Sequence, residues 1–245
     1  MKLPEPFYVA GEHIGIDLAA ARVVFSTRRG GGSRGPYESL NLGLFTGDEA
    51  ALVDANREAL AASLGVGFAF AHQVHGAHVA VAQRIADRGS DLPDADGQAT
   101  TARGVAPMVL TADCLPVAVA GEGAVAMLHA GWRGLAGGVI GEGVRVLREL
   151  GVTGELQAAI GPGAGVCCYE VGEEVHAALL GAGPDVRDGA NADLKLVARR
   201  LLEAAGVRSV HDVGVCTICC EPSLFFSHRR ERGLTGRQAG VAWLI

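Results

Sequence analysis

The chain has no strong excess of charge of either sign. Its 21 basic and 27 acidic residues leave −6 over 245 residues, which excludes an electrostatic footprint for nucleic acid or an anionic membrane surface. Long apolar runs are missing too. No segment keeps about 18 apolar residues together, the length a membrane-spanning helix needs. The opening MKLPEPFYVAGEHIG places Pro, Glu and His where a secretory leader requires uninterrupted apolar sequence. A cytoplasmic protein with no nucleic-acid partner and no membrane partner is therefore expected. A disulfide framework is also lacking. The six cysteines, Cys114, Cys167, Cys168, Cys216, Cys219 and Cys220, read as reduced thiols with a metal ligand among them. Internal repeats, low-complexity tracts and linkers are absent, and the one glycine-rich loop has no Gly-Lys-Ser/Thr behind it, which rules out a nucleotide-binding P-loop.

What is present is apolar content for a sizeable core, with hydrophobic residues at 49% and charged residues at 20%. Alternation and apolar runs predict strands over 21–27, 71–82, 156–160, 210–216, 224–227 and 241–244. Near-helical spacing predicts helices over 48–64, 135–150, 173–180 and 192–205. The N-terminus ahead of Ala21 reads as loose. Interleaved strands and helices point to one α/β domain over 1–245, with its core from about residue 21 onward and a mixed strand order.

The informative stretch is 111–134, TADCLPVAVAGEGAVAMLHAGWRG. It reads as two short apolar strands joined by the Gly121-Glu122-Gly123 turn, with Cys114 entering the first strand and His129 leaving the second. Strands so linked are usually neighbours, so the two side chains form either half of a metal site or a nucleophile with its base. Three loop histidines, His72, His75 and His78, could supply a third ligand or could be exposed imidazoles. The acidic loop from Asp91 to Gly97 offers Asp94 and Asp96 as general acids or as supports for metal ligands, unless they are solvated carboxylates. The loop RRGGGSRG from Arg28 would let backbone and an arginine approach a ligand closely, or would be a plain surface turn. Arg133 sits where the helix after HAGWRG begins and could hold an anion with the helix amides or pair with a carboxylate. Cys216 and Cys219 form the one C-x-x-C pair, and it lacks a second such pair to complete a metal site.

Zinc accepts thiolate and imidazole together, and a catalytic zinc keeps three protein ligands with a fourth position open; copper accepts the same set. Such an ion brings the pKa of water on it to about 7. The competing chemistry uses Cys114 as a nucleophile activated by His129.

Taken together, STRRGGGS, NLGLFTGD, QVHG, TADCLPV, HAGWRG, IGPGAGVCCYEVG, FFSHRR and TGRQAG resemble the YfiH or laccase-domain family, labelled multicopper polyphenol oxidases and now regarded as purine nucleoside phosphorylases with adenosine deaminase and methylthioadenosine phosphorylase activity. The resemblance runs from about Val23 to Trp243. It implies a single-domain sandwich of mixed β-sheets with outer helices, α/β in class (α+β), similar in shape to cysteine-dependent toxin deamidases. It also implies metal ligands at His75, Cys114 and His129, with the motif arginine at Arg28, the NLG asparagine at Asn41 and the loop aspartate at Asp96. Two departures are local: Gly97 stands where alanine is expected, and Cys219 and Cys220 stand where polar residues are usual.

The function so implied is phosphorolysis of adenosine, inosine and methylthioadenosine, with adenosine deamination. Zinc, or copper, would polarise the purine nucleoside. Arg28, with Arg133 or Arg230 beside it, would hold phosphate for attack at the ribose C1′. Asp96 or water on the metal would supply the proton for the departing base. The alternatives are a cysteine hydrolase or deamidase built on Cys114 and His129, and a copper polyphenol oxidoreductase. The last needs more histidine ligands than the eight histidines here can arrange.

Overall fold

Side-chain alternation sets the layering. Strands β8 (Leu115–Gly121) and β9 (Ala124–Ala130) are buried at every residue. One face of the pair gives Leu115, Val117, Val119, Ala126 and Leu128 to a core shared with helices. The other gives Ala118, Ala120, Val125 and Met127 to a core shared with a second sheet. A strand pair covered on both faces has to be apolar throughout, and this one is.

The computed structural model describes residues 2–86 and 92–245. One sheet runs, edge to edge, β1 (Tyr8–Ala10), β2 (His13–Leu18), β3 (Ala21–Phe25), β14 (Gln238–Leu244), β7 (Val105–Thr111) and β4 (Gly67–Ala69). The other runs β13 (Ser209–Asp212), β10 (Gln157–Ile160), β8, β9, β6 (Gly97–Thr100) and β5 (Val79–Val81). A separate two-stranded hairpin joins β11 (Arg187–Asp188) to β12 (Asn191–Ala192), and pairing is antiparallel except for β4 with β7, β5 with β6 and β10 with β13. Helix α1 (Ala50–Leu64) covers the outer face of the first sheet through Leu60. Helices α3 (Val139–Glu149), α4 (Glu173–Leu179) and α5 (Leu194–Ala204) cover the second. The result is the expected sandwich of mixed sheets with outer helices.

Several elements differ from expectation for identifiable reasons. The N-terminus is not loose: β1 and β2 form a hairpin that extends the first sheet, with Ile14, Ile16 and Leu18 fully buried. The strand expected over 71–82 shrinks to β5, because 71–78 is bent to present its amides. The helix expected over 135–150 starts earlier and breaks, with α2 (Trp132–Gly137) ending at Gly138, whose φ of 92° is left-handed. Its glycines have a use: a Cβ at Gly143 would lie 2.7 Å from Leu128, so α3 packs directly on β9. The strand expected over 224–227 does not form: Leu224 lies in a turn, and the Gln238 side chain satisfies both the amide and the carbonyl of Phe226. In the glycine-rich loop, a Cβ at Gly31 would lie 2.3 Å from Ser39 O. Gly32 donates to Asn56 Oδ1 at 2.8 Å. These glycines serve internal packing. Asp91, the first residue of the acidic loop, lies outside the described residues.

Candidate metal centre

Register brings Cys114 and His129 together. Pro116 pairs with His129 and Leu115 with Ala130. Cys114, two residues before Pro116, is therefore the diagonal neighbour of His129 on the same face of the sheet. The turn before it is held in a left-handed conformation at Asp113, φ 87°. The buried Asp113 carboxylate accepts from Thr217 Oγ1 and from the Arg229 amide, each at 2.7 Å.

His75 arrives from a third segment and is also left-handed, φ 59°. The reason is Asp96, which is 0% exposed. Its carboxylate accepts three consecutive amides, Val74 at 3.1 Å, His75 at 2.9 Å and Gly76 at 2.6 Å. It also accepts His129 Nδ1 at 2.7 Å. A carboxylate facing Nδ1 fixes the proton there and leaves Nε2 free to ligate. The donor atoms of His75, Cys114 and His129 all lie within 4.8 Å of one another. The two imidazoles meet edge to face with centroids 4.8 Å apart.

Two glycines of HAGWRG make room for this. A Cβ at Gly131 would lie 2.9 Å from Cys114 Sγ and 3.5 Å from His75 Cδ2. One at Gly134 would lie 3.0 Å from Gly76 O. Burial works to raise the Cys114 thiol, but His129 and then His75 outweigh it and bring the pKa down to about 6. Burial likewise works to lower His129, and Cys114 and Asp96 outweigh it and bring it up to about 9. Burial opposes ionisation of Asp96 as well, yet the bonds from His129, Gly76 and Val74 hold its carboxyl below the usual range. One thiolate and two imidazoles, graded from exposed His75 to buried His129, suit zinc or copper, and the donor types do not separate the two metals.

The other expected residues divide. Asn41 is buried and ties its own loop, accepting from the Gly43 and Arg237 amides and donating to Thr46 and Asp48. Arg28 presents no open fork: it donates to Glu38 O, Pro222 O and Glu231, and its guanidinium lies 4.3 Å over the Phe226 ring. Arg230 is spent on the carbonyls of Thr217 and Phe225 and on Glu231. Arg133 is exposed and stacks 4.3 Å over Trp132. His72 pairs with Asp94 at 2.8 Å on the surface, and the His78 carbonyl accepts the Asp96 amide.

Residues not singled out also interact electrostatically with the centre. Tyr169 is held up to about 12, first by burial and then by Cys114, with Arg229 and Arg133 acting against it. Arg237 is lowered by burial while Cys114 and Asp113 work to raise it. Tyr169, Arg229 and Arg237 stand in the CCYE, FFSHRR and TGRQAG runs, but adjacent arginines in sequence do not reveal that the exposed Arg229 is the one that stacks on Tyr169.

The chain is similar to proteins of known name and structure. A purine nucleoside phosphorylase of Streptomyces coelicolor is 42% identical over 234 residues, covering 90% of this chain and 94% of that protein. The purine nucleoside phosphorylase YlmD of Geobacillus stearothermophilus is 38% identical over 245 residues, covering 90% and 89%. The crystal structure of Bacillus licheniformis YfiH superposes with a TM-score of 0.87 at 30% identity, covering 99% of this chain and 100% of that one. Residues 22–245 match the family described as multi-copper polyphenol oxidoreductase laccase. On the strength of that match and these relatives, the chain belongs to this laccase-domain family, of which YfiH and YlmD are structural representatives.

Proposed function

We propose that the protein is a purine nucleoside phosphorylase acting on adenosine, inosine and methylthioadenosine, that it also deaminates adenosine, and that zinc on His75, Cys114 and His129 serves both reactions. The observation that carries the reading is the His/Cys/His group, braced by one buried aspartate, in a chain whose relatives bear the phosphorylase name over nine-tenths of its length. When bound there, zinc supplies a Lewis acid for a purine or ribose heteroatom. In phosphorolysis an oxygen of hydrogen phosphate attacks C1′ of the ribose, the glycosidic bond breaks with its electrons going to the base, and the proton that the phosphate gives up passes to the departing base. Exposed Arg133 holds phosphate in this reading, with Arg229 and Arg237 adding positive charge around Tyr169 and Cys114. Arg28 and Arg230, with their forks occupied, act by holding the 222–237 loop. Asp96 acts as a positioning residue: it stays ionised and keeps His129 Nε2 and the 74–76 backbone aimed at the centre. Six free cysteines and no helix among the described residues long and apolar enough to cross a membrane support placement in the reducing cytoplasm.

The test is to incubate metal-analysed, zinc-loaded protein with each nucleoside, with and without phosphate, and identify products. Free base and ribose 1-phosphate formed only with phosphate support phosphorolysis, and inosine with ammonia from adenosine and water supports deamination. If zinc-loaded protein turns over no nucleoside, the reading fails. The Cys114, His129, Asp96 alignment also favours a second reading, a cysteine-dependent hydrolase or deamidase with nucleophile, base and orienting carboxylate. That reading expects activity that survives a strong chelator and is abolished by thiol alkylation.

A further inference from the structure

Away from the His/Cys/His centre, the fold assembles a second group that the sequence leaves scattered. Beyond the ends of the parallel strands β10 and β13, the chain continues as two paired loops: Gly163 bridges to Cys216, and the Thr217 amide donates to Gly163 O at 3.0 Å. This continuation places the adjacent Cys167 and Cys168 against the Cys216–Cys219 pair. All four sulfurs lie within 4.8 Å of one another, and Cys167 Sγ and Cys219 Sγ are 3.6 Å apart. The C-x-x-C pair does have its partners, 48 or more residues upstream in the chain, as an adjacent pair with no spacing signature of its own.

We propose that Cys167, Cys168, Cys216 and Cys219 form a second metal centre, a four-thiolate site for a single divalent ion of the zinc class. With Zn–S of about 2.3 Å, a tetrahedral site has sulfurs about 3.8 Å apart. The spacing here fits one ion. A disulfide would need its two sulfurs at about 2.05 Å and would give no reason for the other two to converge on them. The environment of Cys216 is built for an anionic sulfur: the Gly165 amide donates to it at 3.2 Å, and the Ile218 and Cys219 amides aim at it from within its own loop. All-sulfur tetrahedral sites select zinc or iron, and each thiol that ligates releases its proton to solvent, with no oxidant or reductant involved.

The ion has a mechanical role. Thr217, between the two C-x-x-C cysteines, donates to the Asp113 carboxylate beside Cys114, and Ala164 N donates to Asp113 O at 2.7 Å. Tyr169 follows Cys168 directly. Clamping the 163–169 and 216–219 loops to one ion therefore fixes the wall and the turn that present Cys114. The ion's presence does not depend on which reaction the first centre performs.

The test uses the full chain, purified under reducing conditions. The Cys114→Ala variant, which leaves the four thiols untouched, is titrated with cobalt(II) alone. The expected result is saturation at one equivalent with intense sulfur-to-cobalt charge transfer and tetrahedral d–d bands, and wild type saturating at two equivalents. The pair Cys167→Ser and Cys219→Ser, made in the Cys114→Ala background, abolishes those bands, whereas Cys220→Ser retains them because Cys220 stands outside the four-sulfur group, bonded to the carbonyls of Thr217 and Glu221 and to Arg230. Cobalt uptake without thiolate charge transfer in Cys114→Ala, no uptake at all, or a mass showing a disulfide among the four cysteines in the reduced preparation overturns the proposal. The Cys114→Ala titration decides the matter even if the serine variants do not fold.

Discussion

At the scale of single residues, the centre depends on one carboxylate that is not itself a ligand. Asp96 accepts from three backbone amides and one imidazole, so replacing it leaves donors in a buried space with nothing to accept them. Asp96→Asn keeps the shape but turns one of the two oxygens into a donor that faces amide hydrogens. Metal affinity is expected to fall by about 10–100-fold, the usual effect of losing a partner behind a ligand. Competition with a chromophoric chelator measures it, and unchanged affinity would remove Asp96 from the centre. This residue was legible as a member of the acidic loop but not in its role: a run of aspartates looks like solvated surface, and only the fold shows that Asp94 stays outside with His72 while Asp96 is fully covered. Arg28 and Arg230 illustrate the converse. Their residue type promised a phosphate clamp, and the structure spends their donors on carbonyls and Glu231.

At the scale of elements, the β8–β9 hairpin was readable because its turn and its ligands are local, and its register then follows from period-two alternation. β6 and β7 were not readable: they are small or apolar at most positions, buried almost throughout, and show no alternation to signal a strand. Close approach of α2 to the hairpin makes a sharp prediction. Gly131→Ala places a methyl 2.9 Å from Cys114 Sγ, so the sulfur must move. Overpacking of this kind costs about 1–3 kcal/mol. The displaced ligand should make the loss of metal affinity exceed what that stability change explains, and comparing chelator competition with urea unfolding separates the two. The 222–237 loop makes a pH prediction. Burial works to raise Glu231, but the Thr235 hydroxyl, the Ser227 amide, Arg230 and Arg28 hold its carboxyl below the usual range. A depressed folded pKa means that the stabilisation is present above the unfolded carboxylate value of about 4.3 and is lost as pH falls through the folded one. Glu231→Gln should therefore cost about 1–3 kcal/mol near neutral pH, since two half-buried guanidinium groups lose their carboxylate. The gap from wild type should close as pH drops below about 4. Urea midpoints across that range measure it, and a gap that is constant with pH would contradict the assignment.

At the scale of the whole molecule, class and layering were within reach of the sequence, but strand order was not. The C-terminal strand β14 inserts between β3 and β7, a pairing across more than a hundred residues that no local pattern announces. That insertion closes the core between the two sheets from residues such as Phe25, Ala118, Met127 and Ala242, with no contribution from a metal ligand. The centre sits at the ends of strands whose packing is already complete. This separates the protein from small zinc domains, where metal binding is itself the folding energy. Chelation should therefore leave far-ultraviolet circular dichroism unchanged. An ion present at a hundred times its dissociation constant contributes about 2.7 kcal/mol. Removing one such ion should lower Tm by about 5–11 °C for a chain of this size, and an ion on the four-cysteine group adds a like amount. The urea m-value should stay constant, because the same surface is exposed on unfolding with or without metal, while the midpoint falls. If helix and strand signals instead collapse on chelation, the core between the sheets is not self-sufficient, and the ions on the His75, Cys114, His129 group and the four-cysteine group hold the fold as well as the site.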